Sequence, residues 1–154
     1  MAFDQLIEQI LDQLQLLATE FDHLTGAAAG HNRLNRTDLR ALQILRAGGG
    51  VSAGSLARAL HVTSGATTRV IDGLVDAGHV VREPDSRDRR RVLVRLTPAA
   101  SRMVDDTFEE LRVEARGRLD GYGPEELETL ARFLSDARSL ILAHAERLAG
   151  AGGP

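Results

Sequence analysis

Residues 52–97 read SAGSLARALHVTSGATTRVIDGLVDAGHVVREPDSRDRRRVLVRLT, and the rest of the chain can be understood from this stretch outward. Two short helical patterns come first, separated by a turn at residues 61–63. Two β-rich runs follow, residues 79–83 and 92–97, with an arginine-dense turn between them. Helix, turn, helix and charged hairpin is the order of a winged helix-turn-helix module.

The composition limits what the chain can be. At 154 residues it has the length of one domain, and it lacks cysteine, which excludes disulfides and thiolate chemistry. No apolar run reaches the roughly 20 residues of a membrane span, and no signal-peptide pattern is present, so we predict a soluble cytoplasmic protein without membrane contact. The five histidines lack metal-ligand spacing and no catalytic motif occurs. We therefore predict no enzyme activity, no metal and no cofactor.

Charge is divided unequally along the chain. Residues 31–97 hold 12 arginines and 6 acidic residues, whereas the remainder holds 7 arginines and 16 acidic residues. A basic binding module on an acidic scaffold has this asymmetry. The chain contains no lysine, which codon usage in a GC-rich genome explains, although arginine also suits bidentate contacts to phosphate and guanine.

Long amphipathic helices are predicted at both ends of the chain. Apolar residues recur every three or four positions in three segments, residues 3–24, 98–119 and 124–148. The glycine- and alanine-rich residues 25–30 are predicted to form a loop, and residues 149–154 have the composition of a disordered tail.

The apolar stripes of these helices are longer than a small central module can cover. We therefore predict that residues 1–30 and 98–148 form a helical dimerisation region, and that residues 31–97 form the DNA-binding module. The alternative is that the end helices pack on one another within a single chain.

The second helix of the module, which begins near Ser64, is the predicted recognition helix. On a helical wheel, its core side carries Ala66, Val70, Leu74 and Ala77. Its other side carries Ser64, Gly65, Thr68, Arg69 and Asp72. Arg69 is suited to bidentate contact with guanine, and Thr67 or Thr68 to contact with a base or a thymine methyl group. Asp72 either lies past the DNA contact or positions Arg69.

Cap signals locate the helix ends of the module. Ser52 is a predicted N-cap, as is Thr63 or Ser64 for the recognition helix, and Gly78 suits the position after its end. Thr97 is predicted to cap a helix that starts at Pro98, and Thr37 lies at another helix start. We also predict DNA phosphate contacts from Thr37, Ser52 and Ser55.

The turn between the β-rich runs carries four arginines within five residues, Arg87, Arg89, Arg90 and Arg91, together with Asp88. Such a cluster repels itself unless acidic groups or phosphates neutralise it. Asp85 and Asp88 can hold one or two arginines within the turn and leave the others projecting, and an arginine on a narrow hairpin can enter a minor groove. The alternative is a solvated charged turn without a ligand.

The same residues resemble a known family. The segment 85–98, DSRDRRRVLVRLTP, closely resembles the wing signature of the MarR family of transcription regulators. Upstream, Ser64, Thr68-Arg69, Leu74 and residues 78–82 extend the resemblance. The motif-level likeness covers about residues 52–98, and the order of helices is similar over nearly the whole chain.

The resemblance implies a homodimer that places two recognition helices in successive major grooves of a pseudo-palindrome. It also implies a repressor that a small aromatic or phenolic ligand releases. The wing roles of the family fall on Arg89 and Arg90, one in the minor groove and one held by Asp88. Which arginine takes which role is open, because Arg87 and Arg91 are further candidates. For the ligand we predict a pocket near Phe21, His31, Arg40 and Phe108, by position alone. The alternative function is a winged-helix dimer that binds proteins rather than DNA.

Overall fold

The computed structural model describes residues 2–86, 88 and 91–151. Its elements in chain order are α1 (Ala2–His31), α2 (Arg36–Gly48), β1 (Val51–Ser52), α3 (Ala53–Leu60), α4 (Ser64–Asp76), β2 (Val80–Pro84), β3 (Val92–Leu96), α5 (Pro98–Leu119) and α6 (Pro124–Ala151). This mainly α-helical fold with one small sheet confirms the predicted fold class. Two compact units divide inside α5, one ending at Phe108 and the other beginning at Glu109.

Three predicted N-caps are confirmed by hydrogen bonds. The Ser52 hydroxyl accepts from the Ser55 amide at 3.2 Å and starts α3. Thr63, rather than Ser64, caps α4 by accepting from the Ala66 amide at 3.2 Å. Thr97 accepts from the Ala100 amide at 3.2 Å and starts α5. These caps satisfy amides that have no partner within their own helices, and they fix where α3, α4 and α5 begin.

The sheet consists of three short antiparallel strands in the order β1-β3-β2. β2 and β3 form the predicted hairpin, with Val80 opposite Leu96 and Pro84 opposite Val92. β1 pairs with the other edge of β3, with Val51 opposite Val94. The sequence did not predict β1, because two residues are too few to show an alternating pattern.

One hydrophobic core lies beneath helices α2, α3 and α4 and the sheet. Its buried side chains are Ala41, Leu42, Leu45, Leu56, Leu60, Ile71, Leu74, Val80, Val94 and Val104. The first half of α5 contributes Val104 to this core. Arg46 on α2 bonds to α5 by donating to both carboxylate oxygens of Asp105, at 2.8 and 3.0 Å. That bond raises the pKa of Arg46 above its ordinary value. One face of α4 packs against this core, and the opposite face is exposed.

The end of α1 differs from the prediction of a loop at residues 25–30, because the helix continues to His31. Alanine is the strongest helix former, and Ala28 and Ala29 are buried against Leu39. A side chain at Gly26 would lie 2.5 Å from the Arg36 guanidinium. Glycine at this position therefore accommodates a packed arginine instead of breaking the helix.

The last helix is also longer than predicted. α6 runs to Ala151, so residues 149–151, where we had predicted the tail to begin, are helical. Residues 152–154 lie outside the described residues. Within the part of the chain that the structure describes, no helix is both long and apolar enough to cross a membrane.

Candidate nucleic-acid interface

The buried side of α4 is formed by Thr67, Ile71 and Leu74. Thr67 is 0% exposed, and its hydroxyl donates to the Thr63 carbonyl oxygen at 3.0 Å. The prediction of Thr67 as a base contact is therefore wrong. Thr67 precedes Ile71 by four positions and Leu74 by seven, which places all three on one helical face. Ala77, predicted to face the core, is exposed because it is the C-cap residue beyond the last turn.

The opposite side of α4 presents the remaining predicted contact residues, since Ser64, Gly65, Thr68 and Arg69 are all exposed. The Thr68 hydroxyl donates to the Ser64 carbonyl oxygen at 3.0 Å and keeps lone pairs for another donor. Arg69 makes no hydrogen bond or ion pair with any residue that the structure describes. This face therefore offers a guanidinium that has no partner in the described part of the chain, beside small groups.

Gly65 adds a bare patch of backbone to this face. Leaving aside its chain neighbours and the backbone of its own helix, no atom within the described ranges lies within 4 Å of where a side chain would start. A helical glycine costs roughly 0.5–1 kcal/mol relative to alanine, and no contact among the described residues accounts for it here. Close approach of another molecule is a use that a glycine at this position permits.

Asp72 pairs with Arg82, a contact that the sequence did not predict. The Arg82 Nη2 atom lies 2.5 Å from the Asp72 Oδ1 atom, and both side chains are partly exposed. The carboxylate is therefore held from strand β2, and the interpretation that it positions Arg69 is wrong. Arg82 was missed because ten residues of sequence separate the two partners.

The wing is the hairpin formed by β2, β3 and the turn between them, and backbone hydrogen bonds close this turn. The Asp85 amide donates to the Arg91 carbonyl oxygen and the Arg91 amide to that of Asp88, each at 2.8 Å. Asp88 and Arg91 are exposed at this turn. Arg87, Arg89 and Arg90, the other predicted wing residues, lie outside the described residues.

The base of the wing is fastened to the end of α2 by Arg95, which the sequence interpretation also missed. Its guanidinium donates to the Gly49 carbonyl oxygen and lies 3.3 Å from a carboxylate oxygen of Glu83. A side chain at Gly50, whose φ is +124°, would approach the Arg95 side chain to 2.8 Å. Only glycine fits there, because both the backbone angle and the space exclude a larger residue.

The predicted phosphate-contact hydroxyls already have roles at helix starts. Ser52 donates to the Ser55 hydroxyl at 3.0 Å, besides capping α3, and Arg58 donates to that same hydroxyl at 3.3 Å. Thr37 lies partly buried in the first turn of α2, but Asn35 is the cap. Arg58 is an exposed cation that the sequence interpretation did not include.

Asn35 and Asp38 bond to each other at the start of α2. The Asn35 side chain accepts from the Asp38 amide at 2.8 Å and donates to the Asp38 carboxylate at 2.7 Å. Burial raises the pKa of the Asp38 carboxyl above its ordinary value, and the charge of His79 partly opposes the rise. His79 directly precedes β2, so the charge that acts on this carboxyl comes from the base of the wing.

A hollow of about 430 Å³ opens between the end of α1 and the start of α5. It is lined by His31, Asn32, Ala99, Arg102, Met103, Asp106 and Thr107. The Asn32 amide donates to the Thr107 hydroxyl at 3.0 Å and joins the two helices. Of the four predicted ligand contacts, His31 is among these residues.

The other three predicted ligand contacts lie elsewhere. Phe21 is exposed on α1 and Arg40 on α2, whereas Phe108 packs against the hydrophobic core. The structure does not bring these side chains together. The prediction failed because position in the sequence does not say which way each side chain points from its helix.

A helix held by its buried side, an exposed face with an arginine, and a charged hairpin beside it define a winged helix-turn-helix protein. Comparison with known proteins agrees. A family model described as MarR family matches residues 34–92, from just before α2 to the first residue of β3. YcgE of Bacillus subtilis (strain 168), named an uncharacterized HTH-type transcriptional regulator, is 34% identical over 122 residues, 79% of this chain and 79% of YcgE.

Solved structures share the fold. A MarR family transcriptional regulator from Silicibacter pomeroyi has a TM-score of 0.64 at 26% identity, over 84% of this chain and 87% of that one. NadR in complex with 4-hydroxyphenylacetate has a TM-score of 0.60 at 22% identity, over 84% and 89%. That likeness shows the fold alone. The chain belongs to the MarR family of transcription regulators.

Proposed function

We propose that this regulator is a homodimeric repressor that binds a pseudo-palindromic operator and is released by a small aromatic ligand. The observation that carries the proposal is the exposed half of α4, where Arg69 has no partner among the described residues. A solvated surface arginine has no need of a glycine and two small hydroxyl residues beside it. A reading helix does, because small groups let it approach the base edges closely.

In the proposed complex, the N-terminal half of α4 lies in the major groove. Arg69 donates two hydrogen bonds to one guanine, and Thr68 contacts a neighbouring base. The arginine-rich turn, with Arg87, Arg89 and Arg90, reaches the adjacent minor groove, where the negative potential attracts a guanidinium. Arg58, exposed in the last turn of α3 with its guanidinium bonded to the Ser55 hydroxyl, is an added candidate for a phosphate contact.

Dimerisation is supported by apolar side chains that remain exposed on the end helices. On α1 they include Phe3, Leu6, Leu11, Leu16, Leu17 and Phe21. On α6 they include Leu134, Leu140, Ile141, Leu142 and Leu148. Apolar surface of this extent marks an interaction site. A second copy buries it with two-fold symmetry and presents two α4 helices to two half-sites.

The hollow beside α1 and α5 is the proposed effector site. Its volume lies within the range of small-molecule pockets. Arg102 supplies a cation for a carboxylate, Asn32 and Thr107 supply polar groups for a hydroxyl, and Met103 supplies an apolar wall. A phenolic acid such as 4-hydroxyphenylacetate, the ligand in the NadR complex, has the matching chemistry.

DNA binding is tested by fluorescence anisotropy with labelled duplex DNA from upstream of the protein's own reading frame, across a series of salt concentrations. We expect the logarithm of affinity to fall with the logarithm of salt, with a slope of about −0.9 for each phosphate contact. A scrambled duplex of equal length is the control and should bind more weakly. Absence of binding at low salt would contradict the proposal and favour the protein-interaction alternative.

Release is tested in the same assay by adding 4-hydroxyphenylacetate. Dissociation of the wild-type complex, reduced in Arg102→Ala, is the expected result. If neither protein responds to this probe or to related phenolic acids, the effector part of the proposal is wrong, while DNA binding is judged separately.

A further inference from the structure

The Asp72–Arg82 pair links the recognition helix to the wing. Asp72 lies on α4, three residues after Arg69, and Arg82 lies on β2, which leads into the arginine-rich turn. The closest nitrogen and oxygen atoms are 2.5 Å apart, with side-chain exposures of 41% for Arg82 and 53% for Asp72. An exposed pair of this kind contributes little to folding stability. Its position suggests a different use.

α4 carries two acidic residues, Asp76 at the last position of the helix and Asp72 on the exposed side that contains Arg69. A carboxylate there acts against DNA binding in two ways. It repels phosphate, and it stands three positions after Arg69, the spacing at which an acid and an arginine pair along a helix. Left without Arg82, Asp72 would be able to capture the guanidinium that the proposed function assigns to a base.

We propose that Arg82 is a positioning residue for DNA recognition. It engages the Asp72 carboxylate, which leaves Arg69 free to contact a base and removes the repulsion between α4 and the DNA backbone. Because Arg82 lies on β2, the same contact fixes the wing relative to the recognition helix. This inference rests on the proposed DNA binding, and it concerns how the reading face is prepared rather than which bases it reads.

The test uses four full-length variants, Arg82→Ala, Asp72→Asn, the double variant and Arg112→Ala. Arg112 pairs with Glu109 on α5 at 3.5 Å and is exposed, so its removal is a matched change of charge at another ion pair. Affinity for the upstream duplex and the salt slope are measured for each. Thermal unfolding confirms that each variant is folded at the temperature of the assay.

We expect Arg82→Ala to lose about tenfold or more in affinity, because it leaves an unpaired acid facing the DNA. Asp72→Asn should bind at least as tightly as the wild type, and the double variant should recover nearly all of the loss. The double variant keeps the net charge, so its salt slope should equal that of the wild type. Arg112→Ala should bind like the wild type.

Two results would overturn the inference. A double variant as weak as Arg82→Ala, with a salt slope shallower by about 0.9, would mean that Arg82 contacts phosphate directly. Wild-type affinity in Arg82→Ala would mean that the pair does not affect recognition. If the wild type itself fails to bind DNA, the proposed function fails first and the inference falls with it.

Discussion

Helices α1 and α2 are both amphipathic, but they leave their apolar residues in opposite states. On α2, Leu39 and Leu42 are fully buried and Leu45 is 1% exposed. On α1, Phe3 is 74% exposed, and among residues 3–23 only Leu14 is even partly buried. α2 packs into a core that α3, α4 and the sheet complete, whereas α1 becomes buried only near its end, at Ala28 and Ala29.

An apolar stripe shows that a helix face is to be buried. It does not show whether the same chain or a second molecule covers that face. The winged helix-turn-helix part finds its partners within the chain. The exposed stripes of α1 and α6 fit the proposal that a second copy supplies theirs. Stability of the first part should therefore not depend on protein concentration, and pairing of the second part should.

The largest expected effect is in the core. Replacing Leu45 with alanine should lower the free energy of unfolding by about 2–5 kcal/mol, because it removes buried contacts and leaves a cavity. Urea unfolding followed by circular dichroism measures the change. The loss should be the same at low and high protein concentration if it arises within one copy, and a loss below about 1 kcal/mol would mean that the site collapses around the smaller side chain.

A charge on an exposed stripe should act on dimerisation instead. Ile141→Glu on α6 should weaken the dimer by about 100-fold or more, since an unpaired charge buried at an interface costs several kcal/mol. Sedimentation equilibrium measures the constant. Ser139→Glu places the same charge on α6 at a position that is already polar, and it serves as the control. Equal dimerisation of Ile141→Glu and wild type, or a stable monomer of the wild type at micromolar concentration, would contradict a dimer built on this face.

Substitutions on the exposed face of α4 should change operator affinity without changing folding stability or dimerisation. Arg69→Ala should lose about 1–3 kcal/mol of operator affinity and relax the base preference at one position in each half-site. Alanine at both Arg89 and Arg90 should instead weaken binding to all sequences and make the salt slope shallower. Anisotropy with a set of single-base operator variants distinguishes the two patterns. Operator binding by Arg69→Ala at wild-type strength would mean that α4 reads the DNA through other residues.

The smallest effect concerns Asp38 in the module. Burial raises the pKa of its carboxyl above the ordinary value of 3.8, so between the unfolded and folded pKa values the folded state binds more protons. The contribution of this carboxyl to the free energy of unfolding is therefore greatest below about pH 3.8, and it is lost as pH rises through the folded pKa. Asp38→Asn should remove this decline. Urea unfolding from pH 3.5 to 6 compares the slopes, and identical slopes would rule out the predicted titration.

Several features of the site could be predicted from neighbouring residues alone. The caps at Ser52, Thr63 and Thr97 follow from hydroxyl residues placed just before helical patterns, because a cap bonds only to amides within the next three positions. Gly78 with a φ of +73° follows the end of α4 for a similar local reason. The hairpin from β2 to β3 and its turn were also predictable, because its strands are close in sequence.

Other features depended on contacts that a local pattern does not contain. The glycine- and alanine-rich end of α1 was predicted to be a loop, but Ala28 and Ala29 find a partner in Leu39 and remain helical. Thr67 looked like a reading residue because threonine is polar, yet its hydroxyl is satisfied by the preceding turn and its methyl group is buried. Both errors come from treating composition as if it determined exposure.

The sequence by itself determined the order of the helices and the hairpin, the caps of α3, α4 and α5, the basic wing and the family, because these depend on residue type and short spacing. Tertiary structure alone decided that Thr67 faces the core, and that Arg82 rather than Arg69 holds Asp72. A helical period of 3.6 gives the angles between side chains but not the direction from which a neighbouring element covers them. That direction is set by the packing of α2, α3 and the sheet against α4, and with it the face of α4 that the proposed function assigns to DNA.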